Sequence, residues 1–200
     1  AINALPEIIA LRDRLAREHR YASRPRIGAA GGIATPWSVA GAFALGASYV
    51  VAGSINQACV EAGTSARAKE LLCGAAITDC AMAPAADMFE MGAKVQVLKR
   101  GSLFAQRASK LDRLYRESEG LHDLPADERQ RLEKQVFRAP LDAIWNQTAA
   151  YFATVDPRQL ERAEESPRHK MALVFRWYLG QASAWAQRGD DERRGDYQIW

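Results

Sequence analysis

The chain has 200 residues, which is enough for one ordinary domain or two small ones. Hydrophobic residues make up 48% and charged residues 26%, an average composition that excludes a disordered chain, a collagen-like repeat and a bundle of membrane-spanning helices. Lys and Arg number 27 against 24 Asp and Glu, so we expect neither nucleic acid nor a membrane as a partner.

The first quarter of the chain is predicted to alternate helices with short strands. Apolar residues at helical spacing indicate a helix over 5–20, and small or β-branched residues indicate strands over 26–30 and 48–52. Between the strands, Thr35 as N-cap and Pro36 at the first helical position predict a second helix. A strand–helix–strand step of this kind implies parallel neighbouring strands joined by a right-handed crossover.

Small residues follow each predicted strand: Gly31 and Gly32 after the first, Gly53 and Ser54 after the second. In a parallel barrel the active site lies at this end of the strands, and the last two loops often bind a phosphate. Bare main chain lets several N–H groups converge on an anion, and the helix N-terminus at Thr35 would add donors. The alternative is that the glycines only form tight turns. The G-x-G-x-x-G pattern of a dinucleotide fold is absent, which disfavours a Rossmann site.

The rest of the chain is predicted to be mainly helical. Periodicity does not decide whether Lys94–Leu98 is a strand or a helical turn. Charged residues number 17 in 1–98 and 34 in 99–200, so the composition divides the chain between these two segments. Amphipathic patterns predict helices over 65–75, 103–117, 125–137, 140–154, 157–165 and 167–188.

The remaining reactive side chains give weak indications of chemistry. Three histidines are interpreted as surface or capping residues: His19, His122 and His169. No two of them have metal-ligand spacing, so no metal site is predicted. Three cysteines are interpreted as small core residues: Cys59, Cys73 and Cys80. Because they are few and odd in number, a disulfide scaffold is disfavoured and a reducing cytoplasm is expected.

Two further groups admit two interpretations each. Asp87 lies in an apolar stretch upstream of Lys99 and Arg100, and would either orient a ligand or form an internal salt bridge. A methionine group would either fill the core or line an adaptable acyl-chain pocket: Met82, Met88 and Met91.

Seven stretches that together span nearly the whole chain resemble one protein family. They are Ala29–Pro36, Ala42–Ala47, Val51–Ser65, Ala83–Gly92, Val95–Gly101, His169–Gly180 and Asp196–Trp200. The family is that of the PfaD-type trans-acting enoyl reductases, found beside polyketide and polyunsaturated fatty acid synthases, and the chain resembles their C-terminal portion. The combination of A-A-G-G-I, G-S-I-N-Q and D-M-F-E-M-G is specific. The first two motifs alone would indicate only the wider nitronate monooxygenase-like flavin barrels.

The resemblance implies an α/β fold: the C-terminal part of a (β/α)₈ TIM barrel in residues 1–98, followed by an all-α, substrate-side lid subdomain in 99–200. It implies FMN and NADPH as cofactors. It also implies the reduction of α,β-unsaturated thioesters on an acyl carrier protein, with hydride passing from reduced FMN to the β-carbon and a proton to the α-carbon.

The resemblance also implies roles for individual residues. By position, the FMN phosphate would be held by Gly31, Gly32, Gly53 and Ser54. Asn56 would either touch the cofactor or shape the loop.

The chain departs from the family pattern in two places. Ala34 stands where the family has glycine. The family's catalytic-type histidine, in a G-G-H-T-D-N segment, lies upstream of this chain, together with about five of the eight barrel strands. We therefore expect the chain alone to be inactive in hydride transfer, and to be completed by the N-terminal half of the barrel in cis or in trans. Polyketide synthase subunits are further expected partners.

Two alternatives remain open. One is a nitronate monooxygenase-like flavin oxidase, against which the long helical second half argues. The other is a non-catalytic helical module that docks an acidic carrier protein or a synthase subunit through a basic surface. The same arginines would otherwise pair with neighbouring Asp and Glu; they are Arg100, Arg107, Arg113, Arg116, Arg129, Arg131 and Arg138.

Overall fold

The computed structural model describes residues 4–199, so Trp200 of the Asp196–Trp200 motif lies outside the described residues. The chain divides into two compact units after Ala62, earlier than the change in charge density after residue 98. The reason is that the segment between these two points shares the hydrophobic core of the later helices. The assignment of 1–98 to a barrel and 99–200 to a lid stays a prediction.

The first unit combines two helices with a short parallel sheet. Its elements are α1 (Ala4–Glu18), β1 (Ala29–Ala30), α2 (Pro36–Ala44), β2 (Val50–Val51) and a 3₁₀ helix (Ser54–Ala58). Ala29 pairs with Val50 and Ala30 with Val51 in parallel register, which confirms the predicted strand direction. Both strands are shorter than predicted.

The core of the first unit is small. Leu5, Ala42 and Ala47 are buried, with a few partly buried aliphatic side chains packed around them. Large apolar side chains remain exposed on the same unit, including Trp37 at 86% and Val51 at 53%. Apolar surface of this extent is unusual on an isolated soluble unit and is typical of a surface that packs against further protein.

The second unit begins with a helix and a β-hairpin. Its first elements are α3 (Ala66–Cys73), a 3₁₀ helix (Ile77–Asp79), β3 (Cys80–Pro84) and β4 (Lys94–Leu98). β3 and β4 pair antiparallel, with Met82 opposite Gln96. The structure therefore resolves Lys94–Leu98 as a strand, and it adds β3, which the sequence analysis did not predict.

Six helices follow the hairpin. They are α4 (Phe104–Glu117), α5 (Ala126–Arg131), a π-helix (Leu132–Phe137), α6 (Leu141–Val155), α7 (Arg158–Glu165) and α8 (Pro167–Arg188), and a 3₁₀ helix (Asp191–Asp196) ends the unit. Their positions confirm the predicted helices, with one difference: the segment predicted as a helix over 125–137 changes to π-helical geometry halfway. Arg193 donates to the carbonyl oxygens of Val136 and Phe137 at 2.9 and 2.6 Å, which satisfies groups at the end of this wider turn.

Helix α8 is the centre of the second unit. It packs against α3, α4, α6, α7 and the last 3₁₀ helix. Phe175 and Tyr178 are fully buried on it, and both rings contact Phe137 at centroid distances of 6.3 and 6.1 Å. None of the helices within residues 4–199 has both the length and the apolar composition to span a bilayer.

Two predictions about the core are wrong. Cys59 and Cys73 are exposed and Cys80 is only partly buried, so the cysteines are not core residues. The methionine group is also exposed, at 55%, 39% and 77% for Met82, Met88 and Met91, so the interpretation that it fills the core is wrong, whereas the acyl-chain pocket stays a prediction. The core positions of β3 and the following turn are occupied instead by Ala83 and Phe89.

Candidate functional site

Two loops leave the sheet of the first unit at the same edge. Gly31 and Gly32 follow β1 directly, and Gly53 and Ser54 come two and three residues after the end of β2. Because the strands are parallel neighbours, about 4.8 Å apart, both loops begin side by side. We call these four residues the glycine edge.

The main chain of the glycine edge is open to solvent and to a ligand. Gly31 and Gly32 have φ of +84° and +69°, a conformation that side chains other than glycine rarely adopt. A Cβ atom placed on Gly31, Gly32 or Gly53 would meet no other atom within 4 Å. A ligand could therefore approach the backbone at these three positions, as phosphate binding by main-chain N–H groups requires.

The segment that forms the glycine edge carries no charged side chain. Residues 27–60 contain no Asp, Glu, Lys, Arg or His. The donors that this segment itself offers an anion are therefore backbone N–H groups and hydroxyls such as that of Ser54.

The start of α2 contributes less than the sequence predicted. Thr35 caps the helix and Pro36 occupies its first turn, as expected. However, the Ser38 hydroxyl accepts from the N–H groups of Ala34 and Thr35 at 3.2 and 3.1 Å, and Thr35 Oγ1 accepts from the N–H of Ser38 at 3.2 Å. Since this capping box already engages three amides, the helix N-terminus has fewer donors to offer an anion.

Asn56 shapes its own loop. Its side-chain amide donates to the carbonyl oxygen of Ala52 at 2.9 Å, and its backbone N–H donates to Gly53 at 3.0 Å. These two bonds fix the turn that carries Gly53 and Ser54. Of the two roles considered for Asn56, the structure supports the shaping of the loop.

His169 is buried, so its interpretation as a surface or capping residue is wrong. Only 4% of it is exposed, and Nδ1 lies 2.9 Å from Oε1 of Glu90 while Nε2 lies 2.9 Å from Oε1 of Gln159. Gln159 in turn donates from Nε2 to Asp156 at 3.0 Å. This hydrogen bond and a second one from Arg158 lower the pKa of Asp156. The other histidines, His19 and His122, are exposed as predicted.

Among residues 4–199 the buried carboxylate is Asp196. Asp87 is exposed, so the interpretation that it forms an internal salt bridge is wrong, whereas the interpretation that it orients a ligand stays a prediction. Asp196 is fully buried and is contacted by Arg107, by Arg138 Nη2 at 3.5 Å and by Arg193 Nη1 at 3.4 Å. Tyr178 completes this group, and its own pKa is raised by burial and by the negative charge of Asp196.

The seven arginines considered as a basic docking surface are largely engaged within the chain. Six of them contact carboxylates: Arg100 with Asp79, Arg107 with Asp196, Arg116 with Asp112, Arg129 with Glu133 and Asp142, Arg131 with Asp127 and Glu128, and Arg138 with Asp196. Paired arginines present little net charge to a partner. The structure therefore favours the interpretation that these residues pair with neighbouring Asp and Glu.

Part of the second unit matches a known family. Residues 118–197 match the inserted helical domain of [acyl-carrier-protein] S-malonyltransferase. This stretch begins after α4 and includes α5 to α8 and the last 3₁₀ helix. The match covers less than half of the chain.

Longer relatives match the whole chain. A polyunsaturated fatty acid synthase subunit from Thraustochytrium sp. is 44% identical over 200 residues, which are 98% of this chain and 13% of that protein. The polyketide biosynthesis protein PksE of Bacillus subtilis is 43% identical over 100% of this chain and 26% of its own length. The chain thus spans a small part of these proteins.

A solved structure is also similar to this chain in its fold. The enoyl reductase domain of MlnA, from the macrolactin biosynthesis cluster of Bacillus amyloliquefaciens, superimposes with a TM-score of 0.92 at 41% identity. The chain resembles the enoyl reductase region of polyketide and polyunsaturated fatty acid synthases. The superposition covers 98% of this enoyl reductase-like chain and 44% of the MlnA domain. It confirms the resemblance that the sequence motifs predicted.

Proposed function

We propose that this chain is the C-terminal part of an FMN-dependent enoyl reductase. The enzyme saturates α,β-unsaturated acyl thioesters on an acyl carrier protein, with NADPH as the reductant, in polyketide or polyunsaturated fatty acid biosynthesis. One observation carries the proposal: the glycine edge offers open main chain at the adjacent ends of two parallel strands, in a chain 41% identical to an enoyl reductase domain.

The glycine edge would hold the terminal phosphate of FMN. The residues fit this group because Gly31, Gly32 and Gly53 leave their main chain uncovered and the Ser54 hydroxyl is a further donor. When bound, the flavin supplies hydride transfer and NADPH renews its reduced form. Asn56 would act through the loop, by holding Gly53 and Ser54 in position.

The exposed apolar side chains of the first unit support a larger barrel. Parallel sheets are usually covered on both faces, whereas β1 and β2 form a two-stranded sheet in which Val51 is half exposed. We propose that the N-terminal half of the barrel, in cis or in trans, covers this surface and supplies the catalytic histidine. We propose that residues 99–200 form the substrate-side lid subdomain of the complete enzyme.

The comparisons support a substrate carried by a protein. The helical match is to an enzyme that acts on an acyl carrier protein, and the longer relatives are synthase subunits or polyketide biosynthesis proteins. Such assemblies pass thioester intermediates between sites. We therefore propose an acyl carrier protein and synthase subunits as the partners of this enzyme.

The test uses the intact protein from which this chain derives. It should show flavin absorbance, should bleach with NADPH under anaerobic conditions, and should regain its colour when an enoyl thioester on a carrier protein is added. Gly53→Val should lower FMN affinity at least about tenfold. Gly53 has a φ of −111° and a Cβ there would meet no atom within 4 Å, so the variant should fold.

Gly63→Val is the matched control, because a Cβ there also meets nothing within 4 Å and the residue lies outside the glycine edge. It should bind FMN as the wild type does. A colourless intact protein would refute the flavin assignment, and wild-type FMN affinity in Gly53→Val would refute the role of the glycine edge.

A further inference from the structure

A cleft of about 590 Å³ lies between α6 and α8 in the second unit. This volume is within the range of small-molecule sites. Aromatic and aliphatic side chains form one part of its lining: Tyr151, Phe152, Leu173 and Trp177. Polar and charged groups form another: Gln147, Thr148, Gln181, Arg176 and Asp87. We call this the α6–α8 cleft.

A glycine lies on the lining of the cleft in the interior of a long helix. Gly180 is in α8, a helix of 22 residues, and it is exposed. A helix interior disfavours glycine relative to alanine, yet a Cβ on Gly180 would meet no atom within 4 Å. Packing within the described residues therefore does not require glycine here. Its effect is to keep this part of the cleft open.

Arg176 is held in place by Ala86, which also lines the cleft, and by Glu90, which does not. Its Nε donates to the carbonyl oxygen of Ala86 at 2.8 Å, and Nη1 lies 3.8 Å from Oε2 of Glu90. The other oxygen of Glu90 is 2.9 Å from Nδ1 of His169. With 26% of its side chain exposed, Arg176 is a fixed donor on a mostly apolar surface. Such a donor can bind a carbonyl oxygen without first losing the entropy of a free side chain.

We propose that the α6–α8 cleft binds the pantetheine arm of the acyl thioester substrate. The assignment rests on the proposed function, which supplies a thioester carried on such an arm. Pantetheine alternates aliphatic segments with two amides and ends in a thiol, which carries the acyl group as a thioester. The aromatic side chains suit the aliphatic segments, Gln147 and Gln181 suit the amides, and Arg176 donates to a carbonyl oxygen.

The experiment measures binding of a saturated probe, S-octanoyl-pantetheine, to the intact protein by titration calorimetry. The wild type should bind one equivalent with a saturable isotherm. Gly180→Leu should weaken binding at least about tenfold, because the new side chain occupies the cleft. The helix should tolerate the change, since leucine is a better helix former than glycine.

Ala150→Leu is the matched control. Ala150 is exposed on α6 and does not line the cleft, so this variant should bind the probe as the wild type does. Equal affinity in Gly180→Leu and the wild type would overturn the proposal, as would a wild type that does not bind the probe. Competition by free octanoate at the affinity of the probe would also overturn it, because the site would then select a fatty acid.

The cleft proposal and the proposed function can be contradicted independently of each other. The probe carries no double bond, and its binding needs neither flavin nor NADPH. A protein that binds the probe through this cleft but contains no flavin would contradict only the reductase assignment. An active reductase in which Gly180→Leu leaves the KM for a carrier-bound enoyl thioester unchanged would contradict only the cleft.

Discussion

Tyr178 donates its hydroxyl hydrogen to Oδ1 of Asp196 over 2.8 Å, and both side chains are fully buried. The same carboxylate is contacted by Arg107 from α4, by Arg138 after the π-helix and by Arg193 from the last 3₁₀ helix. Burial of a carboxylate is tolerated when its charge is paired in this way. Asp196 therefore links four separate segments of the second unit.

Asp196→Asn should destabilise the second unit by about 1–3 kcal/mol, because it removes the buried charge that three partly exposed guanidinium groups and the Tyr178 hydroxyl contact. Urea unfolding of wild type and variant would measure the difference. Asp191→Asn, at an exposed position of the same 3₁₀ helix, should change the free energy of unfolding by less than about 0.5 kcal/mol. Equal stabilities of Asp196→Asn and Asp191→Asn would show that the buried cluster contributes nothing.

Tyr178 should make the unit sensitive to alkaline pH. Burial and the charge of Asp196 raise the pKa of Tyr178 above its ordinary value of 10.0. The contribution of Tyr178 to stability is therefore complete below about pH 10 and is lost as the pH rises toward the folded-state pKa. In urea unfolding between pH 8 and pH 11, roughly, the stability of Tyr178→Phe should fall less steeply than that of the wild type.

Tyr115→Phe provides the comparison for this pH series. Tyr115 packs its ring against Phe89 at a centroid distance of 5.2 Å, and phenylalanine keeps that contact. Tyr115→Phe should therefore follow the wild-type curve. If Tyr178→Phe does so too, then the buried phenol is not the group that responds to alkali.

His169→Phe should cost about 1–3 kcal/mol, because it leaves Glu90 and Gln159 without their hydrogen-bond partner. The hairpin segment that carries Glu90 would lose a link to α8. Thermal unfolding would measure the loss, with His122→Phe at an exposed position as a control that stays within about 0.5 kcal/mol of wild type. A similar small effect for both variants would contradict a structural role for His169.

Glu128 should contribute to acid sensitivity. The ammonium of Lys110 lies 2.6 Å from its Oε2, and this interaction holds the pKa of Glu128 below its ordinary value of 4.5, with a further contribution from Arg131. The stabilisation is therefore present above pH 4.5 and is lost as the pH falls through the folded-state pKa.

Lys110→Met should remove part of this pH dependence. The change in unfolding free energy between about pH 7 and pH 3 should be smaller in the variant by about 0.3–1 kcal/mol, because both side chains are partly exposed. Lys134→Met, at an exposed position of the π-helix, should keep the wild-type dependence. An unchanged acid response in Lys110→Met would show that the Lys110–Glu128 pair does not contribute to the acid sensitivity.

Local features of the sequence were sufficient to predict most helices. Helix starts depend on residues close to one another, as at Thr35, Ser65 and Ser166, where each hydroxyl accepts from a backbone N–H three residues later. The parallel pairing of β1 and β2 followed from the strand–helix–strand order and from the glycines at the strand ends. The glycine edge could therefore be located before the structure was known.

Features that depend on distant residues could not be predicted in the same way. β3 runs through Cys80–Pro84, an apolar stretch without alternation, and it is a strand because it pairs with β4. The ring of His169 is hydrogen-bonded by Glu90, 79 positions away in sequence, and by Gln159 in the preceding helix, so its burial is not a local property. Asp196 has no local pattern that indicates burial, since its partners come from residues up to 89 positions away.

The group around Asp196 also determines when the second unit can finish folding. Asp196 is translated after all the residues that contact its carboxylate: Arg107, Arg138, Tyr178 and Arg193. Domains fold as units during synthesis once their chain has emerged. The nascent helices between 104 and 188 therefore lack the carboxylate that pairs with Arg107 and Arg138 until Asp196 has emerged, so the packing of the second unit is completed after that point.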